Sequence, residues 1–246
     1  MSQPISPPTV LPGQLEAQLR QEGFALLDGA DMAGWLPATP PELDNLRQAW
    51  DDLPPDAYLR DGGHYRRRRH SCFVVEGDAV HQVAHRAHWQ PVEYNALHGG
   101  MQRWFEPVLP AMVAMPVWGR LLGQVAHAAS ALRGIQPWYV EAHVFRIDTA
   151  DGIGRPTPEG AHRDGVDLVA VVMAGRQGIK GGESRVFDAD GPRGQRFTLV
   201  QPWSLLLLDD ERVIHETTPI QPAQAGQLGW RDTLVLTCRR GGFQGD

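Results

Sequence analysis

The stretch WYVEAHVFRID at residues 138–148 is the first of a series of short apolar runs in the C-terminal part of the chain. These runs are rich in Val, Ile, Leu, Phe and Thr and are separated by Gly, Pro and Asp clusters, which is typical of β-strands joined by turns. So many short runs in succession favour an antiparallel sandwich or a jelly roll. The runs are WYVEAHVFRID, VDLVAVVMAG, ESRVFD, QRFTLV, SLLLLDD, RVIHETTPI and DTLVLTCRR.

The N-terminal part of the sequence has a different pattern. The segment GQLEAQLRQEG (13–23) predicts a helix that ends at its final glycine, and FALLD (24–28) predicts a short strand. PPELDNLRQAWDDLPP (40–55) predicts a second helix bounded by prolines, and YRRRRHSCFVV (65–75) predicts a strand. Residues 105–132 are expected to be largely helical, with interruptions at two prolines, Pro110 and Pro116.

These patterns together predict one α+β domain that spans residues 1–246. Its first part, residues 1–137, is expected to be mostly helical with a few strands. This part would pack against a strand-rich core at residues 138–240.

Composition restricts the class of protein. Hydrophobic residues make up 42% and charged residues 21% of the chain, which is ordinary for a globular protein. The formal net charge of −6 argues against a nucleic-acid or anionic-membrane partner, and no apolar run is long enough to cross a bilayer. Two cysteines do not form a disulfide framework, and the N-terminus lacks the pattern of a signal peptide. A cytoplasmic protein is expected.

The segment PEGAHRDGVDLV (158–169) contains the most informative chemistry. His162 and Asp164 are two residues apart, so in an extended chain both side chains point the same way and can reach one metal ion. A third ligand must come from a distant strand, and His215 in RVIHETTP is in a suitable place. Two histidines and one carboxylate form the facial triad of non-haem Fe(II) oxygenases, which leaves positions for a bidentate cosubstrate and O₂.

Arg231 begins the last apolar run and follows the second histidine of the triad by 16 residues. A dicarboxylate cosubstrate that chelates iron at one end would present its far carboxylate to such a guanidinium group. Thr233 faces the same side of the strand and could add a hydrogen bond. The alternative is a solvated charge at a strand end, paired with Asp232.

Two other clusters carry weaker signals. RRRRH (66–70) lies on a predicted strand, where alternate side chains point inward, so a solvated face is favoured over a nucleic-acid site. His81, His85 and His88 would align on a helix, but no carboxylate accompanies them. Surface or packing roles are therefore favoured over a second metal site.

These segments together resemble the bacterial 2-oxoglutarate/Fe(II) dioxygenases that include isoleucine 4-hydroxylases and related free-amino-acid hydroxylases. The resemblance covers residues 65–237. It implies a double-stranded β-helix, the jelly-roll form of the sandwich, with Fe(II) on His162, Asp164 and His215. It also implies that Arg231 anchors 2-oxoglutarate and that O₂ is the oxidant. The matching segments are HVFRI (143–147), PEGAHRDGVDLV (158–169), GGESRVFD (181–188), DDERVIH (209–215), RDTLVLT (231–237) and the YNALHGGMQRWFEP region (94–107).

The resemblance makes a free L-amino acid the expected small-molecule substrate, hydroxylated at an unactivated C–H bond. Its ammonium group would need a carboxylate, and Glu159, Asp167 and Glu183 are candidates, each with a loop or turn role as the alternative. Other substrates within the class are a different biosynthetic intermediate or a carrier-bound amino acid. A cupin-like metal isomerase or hydrolase without cosubstrate, and a non-catalytic ligand-binding jelly roll, are alternatives of other classes.

Overall fold

The computed structural model describes residues 4–245, which form five α-helices and twelve β-strands. The helices are α1 (Leu15–Glu22), α2 (Met32–Trp35), α3 (Pro40–Arg47), α4 (Pro110–Val113) and α5 (Pro116–Arg133). The first strands are β1 (Phe24–Leu27), β2 (Arg66–Glu76), β3 (Ala79–Gln82), β4 (Trp138–Asp148), β5 (Leu168–Gln177) and β6 (Ile179–Gly181). The later strands are β7 (Ser184–Asp188), β8 (Gly194–Phe197), β9 (Leu205–Asp209), β10 (Val213–Thr217), β11 (Ile220–Pro222) and β12 (Trp230–Arg239).

The strands form one large sheet and two small ones. The large sheet has the order β1-β9-β5-β12-β4-β2-β3, and the small sheets are β10-β7-β8 and β11-β6. Neighbouring strands in all three sheets are antiparallel. The prediction of an α+β jelly roll is confirmed, with the helices packed against the large sheet.

The large sheet is buried on both faces, and alternation along its strands separates two environments. In β12, Leu234 and Leu236 join the apolar core that the helices cover. Their neighbours Thr233 and Val235 line a cavity on the other face. Strand β4 repeats the pattern, because Val144 packs in the helix-side core while its neighbours line the cavity. The sheet therefore supports the hydrophobic core with one face and the cavity with the other.

Helix α5 supplies much of the core on the helix side. It starts with Pro116 in its first turn, where the missing N–H is not needed, and it ends at Gly134. Although α5 is 18 residues long, no helix within residues 4–245 has both the length and the apolar character needed to cross a membrane. Its buried residues are Val117, Trp118, Leu121, Leu122, Val125, Ala126, Ala128 and Ala129.

The predicted helix at residues 13–23 is confirmed, whereas the one predicted at 40–55 is shorter, since α3 ends at Arg47 and a 3-10 turn ends at Trp50. The stretch from residue 105 to 132 also needs correction. Gly23 ends α1 in a left-handed conformation, with φ of 79°, as helix-ending glycines do. In the later stretch, Pro110 and Pro116 begin helices α4 and α5 and do not interrupt one, while residues 105–109 are not helical. Residues 51–65 and 83–109 also contain no helix, so the first 137 residues are less helical than their sequence suggests.

We expect Leu122→Ala to lower the free energy of unfolding by about 2–5 kcal/mol, because Leu122 is fully buried and its truncation leaves a cavity. Chemical denaturation monitored by circular dichroism measures the change. Ile135→Ala is the matched control, because Ile135 is 95% exposed and its truncation should change stability by less than about 0.5 kcal/mol. Equal effects of the two variants would contradict the packing described for α5.

Candidate active site

The three predicted iron ligands lie together at one end of the cavity, although two separate segments supply them. His162 and Asp164 belong to the loop before β5, and His215 lies on β10. The backbone N–H of His162 donates to the carbonyl of His215 at 3.0 Å, and the reverse bond is 2.9 Å. This isolated antiparallel bridge holds the two histidines side by side, with ring centroids 4.6 Å apart.

The donor atoms of this triad converge. Nε2 of His162 and Nε2 of His215 are each 3.8 Å from a carboxylate oxygen of Asp164, and the donor atoms all lie within 4.8 Å of one another. Nδ1 of His162 donates to the carbonyl of Gly160 at 2.9 Å, which leaves the Nε2 lone pair available for a metal. Burial and the nearby His162 lower the pKa of His215 to about 4, so its ring is neutral at physiological pH. This set of nitrogen and oxygen donors fits Fe(II).

Neighbouring side chains hold the loop that carries Asp164. The carboxylate of Asp210 accepts hydrogen bonds from three successive backbone N–H groups, those of Asp164, Gly165 and Val166, at 2.7–3.1 Å. Gln90 donates from Nε2 to Oδ1 of Asp164 at 3.1 Å. The orientation of the carboxylate ligand is therefore fixed from both its backbone and its side chain.

A second group of ligand-type side chains is held by hydrogen bonds, and three of its four members line the same cavity. It consists of His70, His88, Glu141 and His143. Oε2 of Glu141 is 2.7 Å from both Nε2 of His70 and Nδ1 of His88, a hydrogen-bond distance. This distance is shorter than the separation of about 3 Å expected for two ligand atoms at right angles on one ion, given metal–ligand bonds of about 2.1 Å. Burial lowers the pKa of His88 to about 4, so it donates to Glu141 as a neutral ring.

Nearby cations also disfavour a metal ion in this second group. The guanidinium of Arg68 lies 2.6 Å from Nδ1 of His143, which therefore accepts its hydrogen bond. In a neutral ring the proton is then on Nε2, so this nitrogen has no lone pair for a metal. Burial, together with the charges of Arg68 and Arg103, lowers the pKa of His143. The geometry therefore favours the triad of His162, Asp164 and His215 as the metal centre.

Arg231 projects into the cavity from β12 and is 4% exposed. Burial, together with the like charge of Arg176, lowers its pKa to about 9, so the group stays protonated at neutral pH. Asp232 does not neutralise it, since that carboxylate binds Arg146 through two hydrogen bonds of 2.6 and 2.8 Å. Nε of Arg231 has no hydrogen-bond partner in the described chain. Thr233 lines the same cavity, and an anionic ligand would complete this site.

The three acids predicted for the substrate lie in different environments. Glu159 lines the cavity, with Oε1 3.5 Å from Nε2 of His162. Asp167 is buried outside the cavity, where it accepts a hydrogen bond from the backbone N–H of Arg240. Glu183 also lies outside the cavity and forms an ion pair of 2.9 Å with Arg185. Of the three, the structure brings only Glu159 to the metal site.

The sequence patterns did not identify several of the residues that line the cavity. Gln90 and Arg103 lie in the irregular segment at residues 83–109, where no periodic pattern identifies them. Glu141 and His143 were detectable, since they alternate with apolar residues along the β4 segment and so share a face with Phe145.

The structure places the two clusters with weaker sequence signals, RRRRH and the spaced histidines, in different environments. In RRRRH, Arg66 and Arg68 are buried against the cavity, while Arg67 is 44% exposed in its side chain, as alternation predicts. The three spaced histidines do not share a helix. His81 lies on β3, and His88 joins the hydrogen-bonded group around Glu141.

Comparison with known proteins identifies the family. The family model of the 2OG-Fe dioxygenases matches residues 47–237, a span that includes the metal triad and Arg231. The chain belongs to this dioxygenase family. Such dioxygenases use Fe(II), 2-oxoglutarate and O₂, and the donor set of the triad is compatible with that chemistry. A search of curated proteins gives no match.

Solved structures of other proteins share the fold. A bsmA homologue from Methylobium petroleophilum PM1 is 51% identical, with 97% of each chain covered and a TM-score of 0.90. IDO from Bacillus thuringiensis is 15% identical over 94% of this chain and 96% of that chain, with a TM-score of 0.75. The Fe(II)/(alpha)ketoglutarate-dependent dioxygenase TqaL is 20% identical over 95% and 88%, with a TM-score of 0.72. The last two comparisons bear on the fold alone.

We expect Asp210→Ala to weaken Fe(II) binding by about 10- to 100-fold, because the backbone N–H groups around Asp164 lose their common acceptor. Anaerobic titration of the protein with Fe(II) measures the affinity. Glu211→Gln is the matched control, because its side chain is 52% exposed and pairs with Arg133 and Arg240 rather than with the loop that carries Asp164. Unchanged affinity in the alanine variant would show that Asp210 does not hold the ligand loop.

Proposed function

We propose that this dioxygenase hydroxylates an unactivated C–H bond of a free L-amino acid. The observation that carries the proposal is the charge pattern of one cavity. The cavity contains the proposed metal triad and a buried arginine that has no carboxylate partner and would bind the cosubstrate. It also contains further buried groups of positive and negative charge. A zwitterionic substrate requires both signs.

His162, Asp164 and His215 would hold Fe(II) through two imidazole nitrogens and one carboxylate. When bound, iron together with 2-oxoglutarate and O₂ supplies the oxidising chemistry that converts a C–H bond into an alcohol. The protein positions the groups that would bind the metal. Gly160 fixes the tautomer of one histidine, and Asp210 holds the loop that carries the carboxylate ligand.

Arg231 and Thr233 would bind the far carboxylate of 2-oxoglutarate. A planar guanidinium can donate two parallel hydrogen bonds to a carboxylate, and burial strengthens them by excluding water. The uncompensated charge of Arg231 supports this role over the alternative of a solvated strand-end charge, since its side chain is inaccessible and Asp232 is already paired with Arg146. It also favours an oxygenase over a metal isomerase or hydrolase, which would not need this cation.

The apolar walls next to the metal would exclude water from the reacting carbon. Val171 and Val235 line the cavity from adjacent strands of the large sheet, and Val166 follows the ligand loop. Exclusion of water limits uncoupled oxidation, and contact with these apolar side chains would position the substrate.

The proposal is tested by succinate formation from 2-oxoglutarate, with Fe(II) reconstituted anaerobically and air then admitted, across a panel of free L-amino acids. We expect one or a few amino acids to stimulate turnover and to yield a product heavier by one oxygen atom in mass spectrometry. Stimulation should disappear in His162→Ala. Iron-dependent succinate formation that no amino acid stimulates would contradict the free amino acid and favour a carrier-bound or other substrate.

We expect Arg231→Gln to raise the KM for 2-oxoglutarate by about 10- to 100-fold, because a charge-assisted hydrogen-bond pair is worth about 1.5–3 kcal/mol. Arg193→Gln is the matched control, since Arg193 is 73% exposed in its side chain, pairs with Asp188 and does not line the cavity. It should leave that KM unchanged. Equal KM values in Arg231→Gln and the unmodified protein would remove the cosubstrate role and favour a metal isomerase or hydrolase.

A further inference from the structure

Arg103 is a second buried cation that lacks an anionic partner. It is 2% exposed and lines the cavity. One of its nitrogens donates to Oε1 of Gln90 at 2.9 Å, while Nε has no partner in the described chain. No carboxylate of residues 4–245 forms an ion pair with it. Burial of a guanidinium without an ion pair is unfavourable, so we expect an anion to enter the cavity beside it.

The other cations of the cavity are already engaged. Arg66 binds Asp56 through a hydrogen bond of 2.7 Å. Arg68 donates to His143 and lies over the rings of Phe105 and Phe145, 3.8 and 4.4 Å from their centroids. Arg66 and Arg68 each keep one nitrogen without a hydrogen-bond partner among the described residues, but the carboxylate of Asp56 lies 2.7 and 3.9 Å from them. Once Arg231 is assigned to 2-oxoglutarate, Arg103 is the cavity arginine that remains without an ion pair.

Glu159 is the matching carboxylate. Its side chain is 11% exposed, and its Oε2 is buried without a hydrogen-bond partner among the described residues. The other acid of the cavity wall, Glu141, already accepts hydrogen bonds from His70 and His88. Glu159 and Arg103 do not form an ion pair, although the charge of the first acts on the second. Both groups line the same cavity, so one ligand bound there can contact both.

The position of Arg103 also links it to the metal centre. Gln90 accepts a hydrogen bond from Arg103 and donates one to Asp164, so one side chain separates the guanidinium from an iron ligand. The backbone bridge between His88 and Arg103 fixes the segment that carries this arginine. A ligand held by Arg103 is consequently held within reach of the iron.

We propose that Arg103 binds the carboxylate and Glu159 the ammonium of a free α-amino acid. This assignment rests on the proposed function and narrows it. A carrier thioester or an ester has no carboxylate to pair with Arg103, and an N-acylated amino acid has no ammonium to pair with Glu159. The site therefore selects the unmodified zwitterion over its carrier-bound form.

Equilibrium binding tests the assignment without turnover. The probe is the amino acid that most stimulates succinate formation, titrated calorimetrically into the anaerobic protein loaded with Fe(II) and 2-oxoglutarate. We expect Arg103→Gln to raise its Kd by about 10- to 100-fold, the size expected for loss of a charge-assisted hydrogen bond. Arg67→Gln is the matched control, because Arg67 lies on the same strand as Arg66 but points away from the cavity. The Kd of the amino acid should be unchanged in this control variant.

Ligand analogues identify which group each residue contacts. The unmodified protein should bind the methyl ester about 10- to 100-fold more weakly than the amino acid, whereas Arg103→Gln should bind both alike. Glu159→Gln should likewise cease to distinguish the amino acid from its N-acetyl derivative, with Fe(II) affinity measured in parallel because Glu159 lies near His162. These comparisons on the unmodified protein stay informative even if a variant fails to fold.

The outcomes separate two failures. If no amino acid stimulates succinate formation or binds, the proposed function fails. If an amino acid stimulates turnover but its ester binds the unmodified protein equally well, or Arg103→Gln retains the full affinity, the assignment of Arg103 fails while the function stands. Retained discrimination against the N-acetyl derivative in Glu159→Gln would overturn the role of Glu159.

Discussion

Charge buried in a closed cavity is the constraint on which the rest of this site depends. Each guanidinium there is nearly inaccessible to water, which would otherwise screen it. Every such group must be matched by a carboxylate or left for a charged ligand. Asp56 pairs closely with one of them and lies 3.9 Å from a second, and the other two have no ion pair among the described residues. The arginines concerned are Arg66, Arg68, Arg103 and Arg231.

The free-energy cost of these charges is offset elsewhere in the fold. Strands β4 and β12 present apolar side chains to the helices on one face and polar side chains to the cavity on the other. The same backbone hydrogen bonds therefore serve both the core and the site. Helix α5 covers the apolar face, and its burial stabilises a sheet whose other face is electrostatically unfavourable until ligands arrive. Ligands that neutralise these charges should raise the stability of the whole domain by mass action.

The parts of the protein that could be predicted are those that local rules determine. Alternation and turn residues located most strands, and the missed strands β3, β6 and β11 are only three or four residues long. The spacing of His162 and Asp164 indicated a metal because ligand geometry imposes a short-range pattern. Arg103 could not be found in this way, since its role arises from burial and from contacts across the fold. Asp167 is the opposite case, since it lies close to the ligand motif in sequence but its side chain lies outside the cavity.

The backbone bridge between His162 and His215 has a consequence for which metal the protein acquires. Two main-chain hydrogen bonds position these ligands, so the cage does not depend on an ion for its assembly. A preassembled set of two nitrogens and one oxygen binds Co(II), Ni(II) and Cu(II) more tightly than Fe(II), following the general order of divalent affinities. If these residues hold the metal, we expect the supply of metals where the protein folds, rather than selection within the site, to set the occupant. Mismetallated protein would be well folded yet inactive.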